Sequence, residues 1–342
     1  MKDLRNMSKQ QIINFVEALG EKPFRGKQVY EWVIKGVSQF DEMANLPNAL
    51  RQKLSEVAIL DNYKIIQQLK AKDGTIKVLG ALKDGNLVES VFMTYKHGHS
   101  ACISTQVGCK MKCSFCASTL NGIVRSLTAG EYLGQIYALQ KLTGHRIDNV
   151  VLMGSGEPLD NYEESVRFIK MVTDEDGLNL SGRSITLSTC GLVPEIYKLA
   201  DEKFAITLAI SLHNPFQEER MEIMPISKRY PIKELLKAVE YYAEKTGRRV
   251  TFEYALIAGV NDTELHAEQL GSLLRGKLVH VNLIPVNAVE EKAFKPSQND
   301  QINRFKTILL DKYRINTTVR RELGSDINAA CGQLRNSHLK SE

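Results

Sequence analysis

Residues 101–116 read ACISTQVGCKMKCSFC, a short apolar stretch that passes directly into a loop with cysteines at positions 109, 113 and 116. The branched residues at 101–105 predict a β-strand. The three thiols have the spacing C-x-x-x-C-x-x-C, which lets them converge on one inorganic centre. Structural zinc takes four protein ligands and an ordinary iron–sulfur cluster takes four cysteines, whereas three thiolates leave one cluster iron open to a small molecule. The stretch therefore predicts a catalytic cluster, with a zinc knuckle that has a distant fourth ligand as the alternative.

Downstream of this stretch, short apolar segments alternate with long amphipathic ones, as in parallel βα units. The predicted strands are residues 101–105, 149–153, 184–188, 205–212, 250–257, 278–284 and 316–320. The predicted helices are residues 129–141, 163–172, 194–200, 232–245, 264–274 and 299–310. Six such units predict an α/β fold, a partial (β/α)6 barrel, whose ligands bind at the C-terminal ends of the strands.

Upstream of the barrel, the pattern predicts a small helical module followed by a short antiparallel sheet. Ser8 and Gln11 form a candidate capping box for a helix at residues 9–19. Two further helices are predicted at 24–37 and 47–57, and alternating strands at 64–69, 76–82 and 87–94. We therefore divide the chain into an accessory module (1–94), a barrel core with its C-terminal segment (95–334) and a polar tail (335–342).

The composition is that of a folded, soluble protein, with 342 residues of which 43% are hydrophobic and 25% charged. No apolar signal core and no run of about 18 apolar residues is present, so we expect neither export nor membrane insertion. The six cysteines then favour metal or catalytic roles in a reducing cytoplasm over disulfides. A net charge of +5 is only weak evidence for a polyanionic partner.

Polar residues follow several predicted strands. The loop MGSGEP at 153–158 combines glycines, which permit close approach of a ligand, with Glu157, a carboxylate suited to an ammonium group. Taken alone it is equally a tight strand-to-helix turn. Ser188, the segment 211–213 and the segment 282–287 place polar groups at three further strand ends. Together they predict a site for a nucleoside that carries an amino-acid tail, although His213 alone is equally a core histidine.

Several segments resemble the RlmN family of radical S-adenosylmethionine (SAM) enzymes, which methylate C2 of adenine in 23S rRNA and tRNA. The matching segments are FRGKQVYEW from position 24, CISTQVGC from 102, GSGEPLDNY from 154, LSTCG from 187, AISLH from 209, NLIPVN from 282 and DINAACGQL from 326. The resemblance implies that Cys109, Cys113 and Cys116 bind a [4Fe–4S] cluster whose open iron holds SAM. The residues that it assigns to the SAM site are Gly156, Glu157, Ser188, Ser211, Leu212, His213 and Asn287.

The same resemblance implies roles for two further thiols and one carboxylate. Cys331 would be methylated by one SAM molecule, and a second SAM molecule, cleaved at the cluster, would provide the radical that activates the S-methyl group. Glu89 would accept the C2 proton, and Cys102 would release the product by forming a transient disulfide with Cys331. Without the resemblance, Cys102 and Cys331 are equally small buried hydrophobic residues. Cys190 is interpreted as structural or incidental.

The resemblance also implies that 23S rRNA and tRNA are partners and that the N-terminal module binds them. We expect Arg25 and Lys27 to contact phosphates. An electron donor such as flavodoxin or ferredoxin with its reductase would reduce the cluster, and we expect a monomer. Two alternatives remain. One is a C8-adenine rRNA methyltransferase of the antibiotic-resistance (Cfr) type, which uses the same thiols. The other is a non-catalytic, zinc-containing RNA-binding protein.

Overall fold

The computed structural model describes residues 1–96, 98–285, 294–321, 323, 324 and 327. The α-helices are α1 (Lys9–Ala18), α2 (Pro23–Ile34), α3 (Asn48–Val57), α4 (Ala129–Thr143), α5 (Tyr162–Thr173), α6 (Val193–Asp201), α7 (Gln217–Ile223), α8 (Ile232–Thr246), α9 (Glu264–Leu274) and α10 (Asn299–Thr307). In these parts of the chain, no helix is both long enough and apolar enough to cross a bilayer.

The strands complete the set of elements. They are β1 (Lys2–Asp3), β2 (Ala58–Ile59), β3 (Tyr63–Lys70), β4 (Ile76–Leu82), β5 (Leu87–Tyr95), β6 (Gly98–Ile103), β7 (Gln106–Gly108), β8 (Ile123–Ser126), β9 (Asn149–Leu152), β10 (Ile185–Thr189), β11 (Thr207–Ser211), β12 (Val250–Leu256), β13 (Val279–Pro285) and β14 (Thr317–Val319). Every helix and strand predicted from the sequence is present, which confirms the expected alternation of elements.

Ten strands form one sheet in the order β3-β4-β5-β6-β9-β10-β11-β12-β13-β14. The seven strands from β6 to β14 along this order run parallel. The sheet is open, because among the described residues its edge strands β3 and β14 do not pair with each other. The predicted partial barrel is therefore confirmed.

The antiparallel strands of the N-terminal region belong to this same sheet. β3, β4 and β5 pair in sequence, and β5 pairs antiparallel with β6, where Val91 lies opposite Cys102. The sequence patterns grouped these strands with the helical module, whereas the hydrogen bonds join them to the barrel. They therefore extend the barrel wall and bring their side chains towards its interior.

The two faces of the sheet differ in polarity. Along β13, Val279, Val281 and Leu283 are buried, while His280 and Asn282 between them are only half-buried. The buried face packs into the large apolar core that includes residues of α4 to α10. The opposite, polar face lines the open interior, where ligands bind in such folds.

The helical module has its own apolar core, which includes Leu4, Ile12 and Leu50. Its first long helix begins at the predicted capping box, since Ser8 and Gln11 exchange side-chain and backbone hydrogen bonds. The module packs on α4: the Tyr137 hydroxyl donates to the Ile34 carbonyl oxygen at 3.0 Å, and the module's Arg5 guanidinium lies over the Tyr137 ring. The module is thus fixed against the barrel.

Candidate active site

A cavity of about 370 Å³ opens at the C-terminal ends of the parallel strands. Five thiol-bearing residues line it, namely Cys102, Cys109, Cys113, Cys116 and Cys190. The structure therefore brings the three cysteines of the cluster motif together, as predicted, and adds two further thiols around the same space.

The motif cysteines lie in a loop that the β7–β8 pair holds in place. Gly108, at the end of β7, has a φ of +81°, and a Cβ there would lie 1.9 Å from the Gly122 carbonyl oxygen. Only glycine fits this position. The Cys109 amide donates to the same carbonyl at 2.9 Å, and the Ser114 amide donates to the Ile223 carbonyl at 2.9 Å. Both ends of the cysteine loop are therefore anchored to backbone.

The three thiols suit an iron–sulfur cluster. Burial raises the pKa of Cys109 to about 12, and Cys116 adds to the rise as a thiolate. Burial also raises the pKa of Cys113, and repulsion from Cys116 and Cys109 acts in the same direction. Such clustered soft donors lose their protons when a cationic metal centre binds them. Among the described residues, no group of three or more His, Cys, Asp or Glu side chains is arranged to bind a single metal ion. A [4Fe–4S] cluster differs from a single ion because each cysteine binds a different iron atom.

The glycine loop after β9 places Glu157 on the cavity wall. Its Oε1 accepts a hydrogen bond from the Leu159 amide at 3.0 Å, and its Oε2 accepts one from the Cys190 amide at 2.8 Å. Burial raises the pKa of this carboxyl group. The side chains of Cys190 and Thr189 also hydrogen-bond to this carboxyl group, so Glu157 is held in place on the cavity wall.

Gly156 is required by the packing of this loop on the end of β6. It has a φ of +109°, and a Cβ would lie 2.6 Å from Thr105 Oγ1 and 2.7 Å from the Gln106 amide nitrogen. The Ser155 carbonyl accepts hydrogen bonds from the Thr105 amide at 2.8 Å and from the Gln106 amide at 3.1 Å. The glycine loop predicted from the sequence therefore connects the end of β9 to the end of β6 beside the cavity.

His213 lines the cavity in a fixed, neutral form. Burial lowers the pKa of His213 to about 3, and the charge of Arg220 contributes. Its Nδ1 accepts a hydrogen bond from the Ala255 amide at 2.9 Å, so the ring proton is on Nε2. The Phe115 ring, from the cysteine loop, packs edge-on at 4.7 Å between centroids. The histidine is both buried and part of the site.

The other predicted SAM-site residues divide into three groups. Ser188 and Ser211 are half-buried and line the cavity. The Leu212 side chain does not line it and is fully buried in the apolar core. Asn287 lies outside the described residues.

Glu253 was missed by the sequence analysis. It lines the cavity, is 5% exposed, and lies opposite Ser211 in the β11–β12 register. Asn282 Nδ2 donates to its Oε2 at 3.0 Å, and burial raises the pKa of the carboxyl group. A lone charged residue inside the apolar strand VTFEYAL was the signal that would have found it.

Strands β5 and β6, which pair antiparallel, form another wall of the cavity, the antiparallel wall. Cys102, Val91 and Met93 line the cavity there. Glu89 lies two residues before Val91, on the same face of β5, but is not a cavity-lining residue. Its Oε2 pairs with Lys77 Nζ at 3.0 Å, and both side chains are buried. Cys331 lies outside the described residues.

The lining of the cavity also includes a thiol and two arginines that were not predicted for the site. Cys190, interpreted from the sequence as structural or incidental, is buried on the wall beside Glu157. Arg320 and Arg321 also line the cavity. The cavity therefore has a positively charged section close to the end of β14.

An open α/β barrel with three thiols after its first parallel strand and a Gly-Glu loop after the second defines a radical SAM enzyme. Residues 103–268 match the family described as "Radical SAM superfamily". The crystal structure of a radical SAM methyltransferase from Sphaerobacter thermophilus matches with a TM-score of 0.94 and 41% identity, covering 97% of this chain and 99% of that one.

Residues 2–60 match the family described as "Ribosomal RNA large subunit methyltransferase N-terminal domain". Two relatives are named "Probable dual-specificity RNA methyltransferase RlmN". The one from Alkaliphilus oremlandii is 56% identical, covering 99% of both chains. The one from Clostridium tetani is 54% identical, covering 100% of this chain and 98% of its own length. The chain therefore belongs to the RlmN family, whose cofactors are a [4Fe–4S] cluster and SAM.

Proposed function

We propose that this chain methylates C2 of adenine in 23S rRNA and tRNA, with two SAM molecules consumed per turnover. The observation that carries the proposal is one cavity with two unlike walls beside a loop of three cysteines. Ser188, Ser211 and His213 lie on the parallel side, and Cys102 lies on the antiparallel side. The names of the relatives, which describe dual-specificity RNA methyltransferases, support the substrate class.

The two walls suit the chemistry that C2 demands. Adenine C2 lies between two ring nitrogens and is electron-poor, so it cannot attack the sulfonium methyl group directly. When bound, the cluster supplies the electron that cleaves SAM. The chain's part is to hold SAM on one wall and a methyl-bearing thiol near the other, with water restricted between them.

Cys331 is the residue that we propose to carry the methyl group. Leu323 packs with Val91, Met93 and Cys102 on the antiparallel wall, eight residues before Cys331. Eight residues span up to about 27 Å when extended, so Cys331 can reach the cavity. We expect the buried Cys102, as a thiolate, to attack the sulfur of the adduct between protein and RNA. This attack breaks the bond between that sulfur and the transferred carbon, which takes up a proton and becomes the methyl group on C2, and it leaves a disulfide between Cys102 and Cys331 for reduction.

Glu89 is the proposed acceptor of the C2 proton. Its carboxylate is held by Lys77 at 3.0 Å on the face of β5 that continues to Val91 and Met93. A carboxylate is one of the side chains that serve as general bases, so Glu89 has the chemistry for this role.

The remaining proposals concern partners and place. We propose that the N-terminal module binds the RNA and that Arg25 and Lys27 contact phosphates. Arg25 lies over the Phe24 ring and donates to Gln28 and to the Asn45 carbonyl, so it is held near the surface of α2. A flavodoxin or ferredoxin system is the proposed electron donor, the proposed state is a monomer, and the proposed location is the cytoplasm.

The test is the position of the methyl group. Anaerobically reconstituted enzyme is incubated with SAM, a reductant and either a 23S rRNA fragment or tRNA, and nucleosides are analysed by mass spectrometry against C2- and C8-methyladenosine standards. We expect 2-methyladenosine from both RNAs. The C8 product would instead support the Cfr-type alternative, which the RlmN names of the relatives do not favour.

Two variants test the thiol chemistry. Cys331→Ala should abolish the product while cluster content and SAM cleavage persist. Cys102→Ala should trap RNA covalently on the protein, visible as a slow band in denaturing gels. Cys190→Ser, a control thiol on the same cavity, should still release product. Normal methylation by Cys331→Ala would contradict the proposal.

A further inference from the structure

Arg220 differs from the other buried cations of this protein. Among the residues that the structure describes, three cationic side chains are buried: Arg5, Lys77 and Arg220. Arg5 pairs with Asp61 and Lys77 pairs with Glu89. Arg220 is fully buried and forms no ion pair with any described carboxylate. A buried charge without a counter-ion is strongly unfavourable, so we expect a counter-anion here that is not one of the described carboxylates.

The hydrogen bonds of Arg220 fix the guanidinium behind the cavity wall. Its Nε donates to the Leu212 carbonyl at 2.9 Å, and its Nη2 donates to the carbonyls of Cys190 at 2.9 Å and Ser211 at 3.1 Å. These carbonyls belong to the ends of β10 and β11. They satisfy donors, but neutral dipoles leave the net positive charge in place.

The helix that carries Arg220 is attached to the cysteine loop. The Ser114 amide donates to the carbonyl of Ile223, the last residue of α7, at 2.9 Å. Met224, which follows, lines the same cavity as Cys113. Arg220 therefore lies behind the cavity wall, on a helix that is attached to the cysteine loop, without belonging to the cavity surface.

We propose that Arg220 is the counter-cation of the iron–sulfur cluster and raises the tendency of that cluster to accept an electron. Three thiolates and a [4Fe–4S] core of charge +2 sum to −1, and one electron from a low-potential donor makes the sum −2, with no proton moved. A fixed cation stabilises the −2 state more than the −1 state. The inference rests on the proposed assignment of Cys109, Cys113 and Cys116 as cluster ligands.

The test compares two substitutions that separate charge from hydrogen bonding. Arg220→Gln keeps an amide donor and removes the charge, whereas Arg220→Lys keeps the charge with a different donor geometry. Each variant, reconstituted anaerobically as full-length protein, is titrated with dithionite and redox mediators, with the reduced cluster followed by electron paramagnetic resonance. Arg229→Gln removes an exposed charge from the same region as a control.

For Arg220→Gln we expect the ratio of reduced to oxidised cluster at a given potential to fall about tenfold, equal to 59 mV for a one-electron couple. Arg220→Lys and Arg229→Gln should stay within about twofold of the parent. Iron and sulfide analysis accompanies the titration. If Arg220→Gln fails to assemble a cluster while Arg220→Lys succeeds, the charge is needed and the proposal is supported.

Three results would overturn the proposal. A parental potential in folded Arg220→Gln would exclude a counter-ion role. Equal shifts, or equal loss of cluster, in the Gln and Lys variants would show that Arg220 only ties two strand ends together. Weaker SAM binding with an unchanged potential would place Arg220 in the SAM site instead. A parent protein that holds no iron would refute the cluster assignment, which is a different failure.

Discussion

Replacing Lys77 by methionine tests the buried ion pair on the antiparallel wall. Lys77 Nζ lies 3.0 Å from Glu89 Oε2, with side-chain exposures of 0% and 5%. At an effective dielectric constant of about 20, this separation corresponds to roughly 5 kcal/mol of attraction. Breaking such a pair by removing one partner costs about 3–5 kcal/mol, because the carboxylate stays buried without its ammonium partner. Replacing both partners by apolar residues should recover most of that loss, because the buried charge then disappears.

The assay is urea unfolding of the anaerobic holoprotein followed by circular dichroism. With a urea slope of about 3 kcal/mol/M or more for a chain of this size, Lys77→Met should lower the midpoint by about 1 M. The double variant Lys77→Met/Glu89→Leu should return close to the parent. The matched control is Lys170→Met, which breaks an exposed pair with Glu202 at 2.9 Å and should change little. Equal midpoints for Lys77→Met and Lys170→Met would refute the reasoning.

Three further predictions concern the cavity wall. Gly156→Ala, with a φ of +109° and a Cβ 2.6 Å from a neighbouring hydroxyl, should lower the free energy of unfolding by more than Gly144→Ala, which meets no atom within 4 Å; equal urea midpoints would contradict this. Burial lowers the pKa of His213 to about 3 in the folded chain, whereas the unfolded chain binds a proton at this histidine near pH 6.5. The free energy of unfolding therefore decreases as the pH drops below about 6.5. Between pH 7.5 and 5.5, the free energy of unfolding from urea titrations should fall by about 1 kcal/mol less in His213→Asn than in the parent. Equal decreases in the two proteins would contradict a buried, neutral His213. Glu253→Gln should weaken SAM binding about tenfold in anaerobic calorimetry, as expected for a lost charge-assisted hydrogen bond, whereas Thr251→Val on the same face of β12 should not; identical affinities would exclude a SAM contact.

The sequence was sufficient for those features that depend on local pattern. Strands such as β9 and β13 are short branched runs, and α8 and α9 have long amphipathic periods, so their type and order could be predicted. The cysteine spacing and the Gly-Glu loop could be placed at one end of the barrel because parallel strands present their C-terminal ends together. The predicted cavity residues Glu157, Ser211 and His213 do line one cavity.

Other features depend on contacts between distant segments. The seven-residue helix α7 has no apolar period long enough to detect, so Arg220 could not be placed behind the cavity. The pairing of β5 with β6 is set by register across a turn, and the alternation of either strand alone does not reveal it. Glu253 is the one charged residue of the apolar strand β12, which marks it as unusual in the sequence, but the cavity that it lines is known only once the faces of the sheet are known.

The hydrogen bonds between β5 and β6 also determine how such a chain can be recombined. A fragment that starts at residue 95 would leave one edge of β6 bare, and bare edges invite intermolecular pairing. It would also lack the segment that holds Lys77 and Glu89. A cut near residue 60, where the match to the N-terminal family ends, keeps all ten strands together. Gene fusions that exchange the N-terminal helices between relatives must therefore keep strands β3, β4 and β5 together with the barrel.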